Sequence, residues 1–244
     1  MIKLNLIACP AELTLTVQLQ LTNKYKTTQK AVWKKSYIEN ALLAMTNKKC
    51  AYSEQLLNQE SAYMEIDHFK CKEIYPNDVV AWGNLLPSSK KCNSTKGDHD
   101  VVTIPIVNPL VEHPKESLYV RAFRYYPRNA KGKATIDVLA LNDKEHFEIP
   151  RAKIAFQVAH DLETQYEILT HTQNKIQVRK AISKIKSILA ACGPTYEYSA
   201  VISTYILYEF DTYNMLESYL KTNCYWDQEF EDIKKTLLSI TLEK

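Results

Sequence analysis

Apolar residues follow a helical period near the start of the chain and in its C-terminal part, and a strand-like period between them. From residue 27 to residue 46 they recur every three or four positions, with lysines on the opposite face. This pattern predicts an amphipathic helix that ends near Asn47. The helical period returns in long segments from residue 151 onward, whereas residues 101–149 have a β-rich pattern.

The shorter segments are more mixed. Residues 1–20 begin with a short extended piece, and after Pro10 they combine apolar, polar and β-branched residues in a pattern compatible with either a helix or a strand. Strand-like fragments are followed by a Pro-Asn-Asp turn at 76–78 and by a short polar helix that ends at Gly97. Further along, SLYVRAFRYY and ATIDVLAL are predicted to form a hairpin with PRNAKGK as its loop. Gly193 interrupts the helical part, and two further helices are expected after it.

Four segments follow from these patterns. They are an N-terminal extension with the amphipathic helix (1–47), a core (48–100), a β-rich segment (101–149) and a helical C-terminal region (150–244). Only four glycines occur in 244 residues, which favours a helix-rich fold with few tight turns. The chain is long enough to bury a sizeable core. The expected fold class is α+β.

Composition and charge are those of a soluble globular protein. Hydrophobic residues make up 45% of the chain and charged residues 24%, and the formal net charge is +3. That charge is too small to indicate a nucleic-acid partner by itself. No apolar run reaches the roughly 18 residues that a membrane helix needs, so no membrane association is expected.

The first residues and the cysteines indicate in which cellular compartment the protein is expected. MIKLNLIACP superficially resembles a lipoprotein cleavage site, but it lacks the apolar core of about 7–15 residues that a signal peptide requires. The six cysteines are scattered along the chain, unlike the dense disulfide framework of small secreted domains. A cytoplasmic protein with reduced thiols is therefore expected.

A group of polar residues begins in the strand-like stretch MEIDHF and continues downstream. Its members are Asp67, His68, Asn84, Asn93 and Lys96. Asn84 lies sixteen residues after His68, and Asn93 nine residues after Asn84. The stretches EIDHF, WGNLL and KKCNSTKGD together resemble the HNH endonuclease family, whose ββα-metal core is a two-stranded hairpin capped by a short helix.

This resemblance implies metal-dependent hydrolysis of phosphodiester bonds. His68 would be the general base, since an imidazole with an ordinary pKa near 6.5 is largely neutral at cellular pH. Asp67 and Asn93 offer oxygen ligands of the kind preferred by Mg²⁺ or Mn²⁺. The family mechanism gives products with 5′-phosphate and 3′-hydroxyl ends. Since successive strand side chains point to opposite faces, Asp67 and His68 can serve one site only if the strand ends or bends there.

Three lysines and one asparagine have roles that depend on the same resemblance. Asn84 matches the family's middle residue, whose side chain holds the loop and so orients the histidine. Lys96 either lies near the scissile phosphate or is an exposed lysine without a role. Lys90 and Lys91, on the same short helix, either meet flanking phosphates or form a solvated face.

The chain departs from relatives that hold this core together with a zinc ion between two Cys-x-x-Cys pairs. The first pair is replaced by Cys50 and Ser53, and the second by Ser89 and Cys92. Structural zinc requires about four Cys or His donors, so no structural zinc is expected, and Cys50 and Cys92 should remain close together as a remnant. Cys71, in the loop after the motif, is a less favoured substitute ligand.

The wider context narrows the resemblance to one HNH subgroup. MIKLN…CPAEL, VWKKSYIENALL leading into KKCAYSE, and the helical tail are similar to the PtuB-type nuclease subunits of bacterial anti-phage systems such as Septu and certain retrons. The implied partners are an ABC-like ATPase of the PtuA type and, in retrons, a reverse transcriptase with its RNA–DNA hybrid. The N-terminal or C-terminal helices would dock on the ATPase.

Two functions from different classes remain open. The first is the endonuclease, acting on duplex DNA or on tRNA or another folded RNA. The second is a catalytically degenerate adaptor or nucleic-acid-binding subunit, which the two lost cysteines suggest. The presence of both expected metal ligands together with His68 and Asn84 favours the enzyme.

Overall fold

The structure is a computed structural model that describes residues 1–57 and 63–244, and the described chain divides into two compact units. Residues 58–62, within the predicted core segment, lie outside the described residues. The first unit contains residues 1–118 and 126–142, and the second contains residues 119–125 and 143–244.

The secondary structure begins with two helices and continues with a strand–strand–helix unit. The elements are α1 (Leu15–Thr28), α2 (Ser36–Met45), β1 (Met64–His68), β2 (Leu85–Ser89), α3 (Lys90–Lys96), β3 (Leu118–Arg121), β4 (Arg124–Pro127), α4 (Ala130–Val138), α5 (Ile149–His171), α6 (Lys175–Ala190), α7 (Ser199–Tyr208), α8 (Asp211–Thr222) and α9 (Gln228–Leu238). One sheet pairs β1 with β2 and the other pairs β3 with β4. Within the described ranges, no helix is both long and apolar enough to cross a bilayer.

The predicted helix from residue 27 to residue 46 is wrong in its first part. Helix α1 ends at Thr28, because Gln29 adopts a left-handed φ of 55° and its backbone N–H donates to the Tyr25 carbonyl at 2.8 Å. A loop follows, in which Val32 and Trp33 are buried, and α2 starts only at Ser36. Val32 and Trp33 are therefore apolar because they are buried in a loop, and their helical spacing does not reflect a helix. After Pro10, where the sequence is compatible with a helix or a strand, the structure forms a helix, since residues 15–20 belong to α1.

The first sheet and α3 form a compact ββα unit. Strands β1 and β2 are antiparallel, with Met64 opposite Ser89 and His68 opposite Leu85. Ser89 then caps α3, since its hydroxyl accepts a hydrogen bond from the Cys92 backbone N–H at 3.3 Å. Gly97 ends this helix with a φ of 51°, which confirms the predicted end of the short helix. Helix α2 packs against β2.

The predicted hairpin is wrong in its second strand. Strand β3 and all of β4 except its last residue, Pro127, lie within SLYVRAFRYY, and the two strands are joined by Ala122 and Phe123 at φ values of 45° and 65°. ATIDVLAL instead contributes to helix α4, because Asn129 caps that helix by accepting a hydrogen bond from the Gly132 N–H at 2.9 Å. A two-residue turn of this kind usually carries Asn or Gly, so Ala-Phe gave no hairpin signal.

The second unit forms helices α5 to α9 from Ile149 onward, which confirms the helical period predicted from residue 151. Three helices rather than two follow the break at Gly193. At its centre lies Arg151, which is fully buried and whose guanidinium lies 4.8 Å from the Tyr125 ring centroid, 5.4 Å from that of Phe147 and 5.6 Å from that of Tyr198. Burial of a cation against aromatic faces stabilises the packing of the helices around it.

Candidate active site

A cleft of about 490 Å³ lies along β1 and the C-terminal end of α3 in the first unit. Asp67, His68 and Asn93 all line it, so the structure brings three of the predicted site residues to one cavity. Trp33, from the loop between α1 and α2, contributes another wall. Each of these polar side chains is held by contacts with neighbouring residues.

His68 is held by two contacts and is nearly buried. Its Nε2 lies 2.9 Å from the backbone carbonyl oxygen of Val79, and its ring meets the Trp33 ring at a centroid distance of 4.5 Å and an angle of 86°. Since a carbonyl only accepts, Nε2 carries the proton and Nδ1 keeps its basic lone pair. Burial lowers the pKa of His68 to about 4, so the imidazole is neutral at neutral pH. This side chain is a preoriented proton acceptor.

Asn84 does not line the cleft but fixes the loop that holds His68. Its Oδ1 accepts a hydrogen bond from the Lys70 N–H at 2.8 Å, and its Nδ2 donates to the carbonyls of Lys70 at 3.1 Å and Asp78 at 3.0 Å. The loop closed by these bonds ends directly before Val79, the residue whose carbonyl accepts from His68. The buried amide thus orients the imidazole through the backbone.

Asp67 is buried and has two partners. Its Oδ2 accepts a hydrogen bond from the Tyr52 hydroxyl at 2.5 Å, and its Oδ1 lies 3.0 Å from the Lys96 ammonium. Burial, followed by the nearby Asp67 carboxylate, raises the pKa of Tyr52 well above its ordinary value, so the hydroxyl remains a donor. Tyr52 therefore orients one of the two expected metal ligands, although the sequence gave no signal for it.

Lys96 is a buried lysine with two hydrogen-bond acceptors. The residue is 3% exposed, and its ammonium donates to Asp67 and, at 2.7 Å, to the backbone carbonyl of His68. A buried carboxylate requires a compensating charge, and this lysine provides it. The expectation of an exposed lysine is therefore wrong, and the two hydrogen bonds of the Lys96 ammonium fix the end of β1.

The other α3 residues divide between the cleft and the surface. Asn93 faces β1, and its Nδ2 donates to Oε2 of Glu65 at 2.5 Å. Lys90 is exposed and Lys91 is half-buried, and neither lines the cleft.

Glu65 was not singled out from the sequence, although its position two residues before Asp67 places both carboxylates on one face of β1.

The four positions of the Cys-x-x-Cys pattern meet behind the sheet, and all are buried. Cys50 accepts hydrogen bonds from the Cys92 thiol and from the Ser53 N–H, whose nitrogen lies 3.5 Å from Sγ. Burial raises the pKa of Cys92, whereas for Cys50 these hydrogen bonds outweigh burial and lower the pKa below its ordinary value. In the described part of the chain, no group of three His, Cys, Asp or Glu side chains is arranged to hold a metal ion.

Comparison with known proteins gives two relatives of the same name. The chain is 37% identical over 226 residues to Septu protein PtuB of Bacillus thuringiensis, which covers 88% of this chain and 86% of the relative. It is 27% identical over 207 residues to Septu protein PtuB of Bacillus mycoides (strain KBAB4), which covers 68% of this chain and 69% of that relative. No protein-family model and no solved structure matches the chain.

Proposed function

Since the chain belongs to the family of Septu protein PtuB, we propose that it is the metal-dependent endonuclease of a bacterial anti-phage defence complex. The observation that supports this most is the geometry at His68: its Nε2 lies 2.9 Å from the Val79 carbonyl oxygen, and its ring lines a cleft that also contains Asp67 and Asn93. We assign β1, β2 and α3 to the HNH core, because their order and antiparallel pairing fit its hairpin and short helix.

In the proposed reaction, the chain's own residues activate water and position the phosphate. His68 Nδ1 accepts a proton from the attacking water, and the hydrogen bond from Nε2 to Val79 stabilises the imidazolium that forms. Asn84 preserves this geometry by holding the loop before Val79. Hydrolysis would leave a 5′-phosphate and a 3′-hydroxyl, as in the HNH family.

Asp67 and Asn93 are proposed to hold Mg²⁺ or Mn²⁺. A carboxylate and an amide oxygen are hard donors, and they suit an ion that keeps several of its own waters. The cleft is also more acidic than basic. Its charged residues are Glu39, Glu65, Asp67, Glu73, Asp98, Lys34 and Lys72. When bound, the ion would supply positive charge at a phosphate that these carboxylates would otherwise repel.

No structural zinc is part of the proposal. Cys50 and Cys92 offer two thiols, and Ser53 and Ser89 offer hydroxyls, whereas structural zinc takes four Cys or His donors. Metal analysis of the purified protein should find zinc well below the molar amount of the chain. Stoichiometric zinc that survives dialysis against a weak chelator would contradict this part of the proposal.

The substrate and partners are proposed from the family. The substrate is a nucleic acid, either DNA or a tRNA, and Lys90 and Lys91 on α3 are proposed to meet phosphates that flank the cut. The expected partner is an ABC-like ATPase of the PtuA type. In a retron context, a reverse transcriptase with its RNA–DNA hybrid would join them. Because an unrestrained nuclease would damage its own cell, the ATPase is proposed to control cleavage.

A cleavage assay tests this function. The purified chain, alone and together with its ATPase, would be incubated with plasmid DNA and with total tRNA in Mg²⁺, in Mn²⁺ and in EDTA. Cleavage that requires a divalent ion is the expected result, and the substrate that is cut identifies the substrate class. Undiminished cleavage in EDTA, or intact substrates in every condition, would contradict the proposal.

One observation favours a second candidate, a nucleic-acid-binding adaptor built on the same fold. Asp67, an expected metal ligand, is buried and paired with Lys96, as in a site that has exchanged its ion for an ammonium group. An adaptor would bind nucleic acid in a gel-shift assay with the same affinity in Mg²⁺ and in EDTA. It would cut neither substrate.

A further inference from the structure

Glu65 is an acidic residue of the cleft, and it accepts a hydrogen bond from Asn93, one of the two expected metal ligands. It lies on β1 and precedes Asp67 by two residues, so that both carboxylates occupy the same face of the strand. Its Oε2 lies 2.5 Å from Nδ2 of Asn93, which reaches it from α3. The contact therefore joins the two elements that carry the expected metal ligands.

The chemistry of this contact determines which way the Asn93 amide faces. An ionised carboxylate accepts hydrogen bonds and cannot donate them, so only the NH₂ group of the amide can face Glu65. The reverse orientation would place Oδ1 of Asn93 against a carboxylate oxygen, with two acceptors in contact. Glu65 therefore turns Oδ1 away from itself. Among the described residues, none donates a hydrogen bond to this Oδ1, and Asn93 lines the cleft.

We propose that Glu65 is a positioning residue that fixes the Asn93 amide with its oxygen available to the catalytic cation. The inference rests on the proposed function, because it takes Asn93 as a ligand of Mg²⁺ or Mn²⁺. Without Glu65 the amide rotates freely, and for part of the time it presents NH₂ to the ion, which repels it. Mutation of a residue that orients a metal ligand in this way typically weakens metal binding by roughly 10–100-fold.

Glu65 has a rival role as a direct ligand of the ion, and two substitutions distinguish the two roles. In Glu65→Gln the side-chain oxygen still accepts from Asn93, but the negative charge is lost. In Glu65→Ala both the acceptor and the charge are lost. Glu39→Ala is the matched control, since Glu39 lines the same cleft from α2 and, among the described residues, makes no hydrogen bond with Asn93.

The experiment is a titration of the full-length chain and each variant with Mn²⁺, in which free Mn²⁺ is measured by electron paramagnetic resonance. Circular dichroism melting of each variant verifies that it is folded. We expect Glu65→Ala to bind Mn²⁺ roughly 10–100-fold more weakly than the wild type, and Glu65→Gln and Glu39→Ala to stay within about threefold.

Three results would overturn the inference, and they have different meanings. Wild-type affinity in Glu65→Ala would show that Asn93 needs no positioning, and the proposed nuclease would stand. Equal losses in Glu65→Gln and Glu65→Ala would make Glu65 a direct ligand. A wild-type chain that binds no Mn²⁺ would overturn the proposed metal site and, with it, the role of Glu65.

Discussion

Replacement of Lys96 by Met removes the positive charge from beneath the proposed site while keeping most of the side-chain volume. The Lys96 side chain is 0% exposed and that of Asp67 is 4% exposed, with 3.0 Å between Nζ and Oδ1. The ammonium also donates to the His68 carbonyl at 2.7 Å. In Lys96→Met, the Asp67 carboxylate remains buried with the Tyr52 hydroxyl as its remaining hydrogen-bond donor among the described residues.

The expected loss in the free energy of unfolding is large for a single substitution. Removal of one partner from a buried ion pair typically costs about 3–5 kcal/mol, compared with about 5–15 kcal/mol for the whole stability of a domain. With a urea dependence of about 2 kcal/mol per molar, the unfolding midpoint should fall by roughly 2 M. Tryptophan fluorescence reports on this unit through Trp33 and Trp82, which are both buried in it, and replacement of Trp226 by Phe removes the signal of the second unit.

Two further variants complete the test of this ion pair. Lys90→Met, on the exposed side of the same helix, should change the free energy of unfolding by less than about 0.5 kcal/mol. Asp67→Asn combined with Lys96→Met should be more stable than Lys96→Met alone, because the uncompensated charge is gone. A Lys96→Met protein with the same urea midpoint as Lys90→Met would refute the buried pair.

Three other substitutions test the surroundings of the site and the corrected fold. Asn84→Ala should destabilise the protein by about 2–4 kcal/mol in urea and reduce cleavage, because it leaves the Asp78 carbonyl and its loop unbound. Ala122→Gly should raise the stability measured by thermal unfolding by about 1 kcal/mol, since glycine adopts a φ of 45° without a side-chain penalty. Gly132→Ala should lower stability by about 3 kcal/mol in the same measurement, because a Cβ there would lie 1.9 Å from the Ser117 carbonyl oxygen. An unchanged Asn84→Ala protein, a less stable Ala122→Gly protein or a stable Gly132→Ala protein would each contradict the corresponding contact.

Sequence reasoning was most successful where the chemistry of a local signal is strong. Gly97 ended α3 as predicted, since a left-handed backbone is easiest for glycine. The polar residues around His68 were found because several side chains of defined type occur at fixed spacing. Three of them line one cleft, and Asn84 supports the loop behind it.

The predicted helix over residues 27–46 and the predicted hairpin were wrong at positions where the sequence gave no signal of loop burial or of turn geometry. Val32 and Trp33 are apolar at helical spacing, yet they are buried in a loop, where Trp33 packs on the His68 ring. Ala122 and Phe123 adopt left-handed conformations that sequence rules assign to Gly or Asn. In both cases tertiary contacts determine the backbone.

The contacts that Tyr52 and Lys96 make with Asp67 could not be predicted from the sequence. Tyr52 lies fifteen residues before Asp67, and Lys96 lies twenty-nine residues after it. Neither spacing belongs to a helix or strand repeat, so only the folded chain brings the three side chains together. Glu65 had a weak signal in its alternation with Asp67, but its contact with Asn93 depends on the packing of α3.

The proposed function depends most on His68 acting as the general base of a phosphodiester hydrolase. The most direct measurement is the single-turnover cleavage rate of the wild type and of His68→Ala in Mn²⁺, with the ATPase present and with melting curves that establish folding of both proteins. We expect the variant to bind Mn²⁺ and nucleic acid as the wild type does but to cleave about 10²–10⁴-fold more slowly. A folded His68→Ala protein that cleaves at the wild-type rate would contradict it.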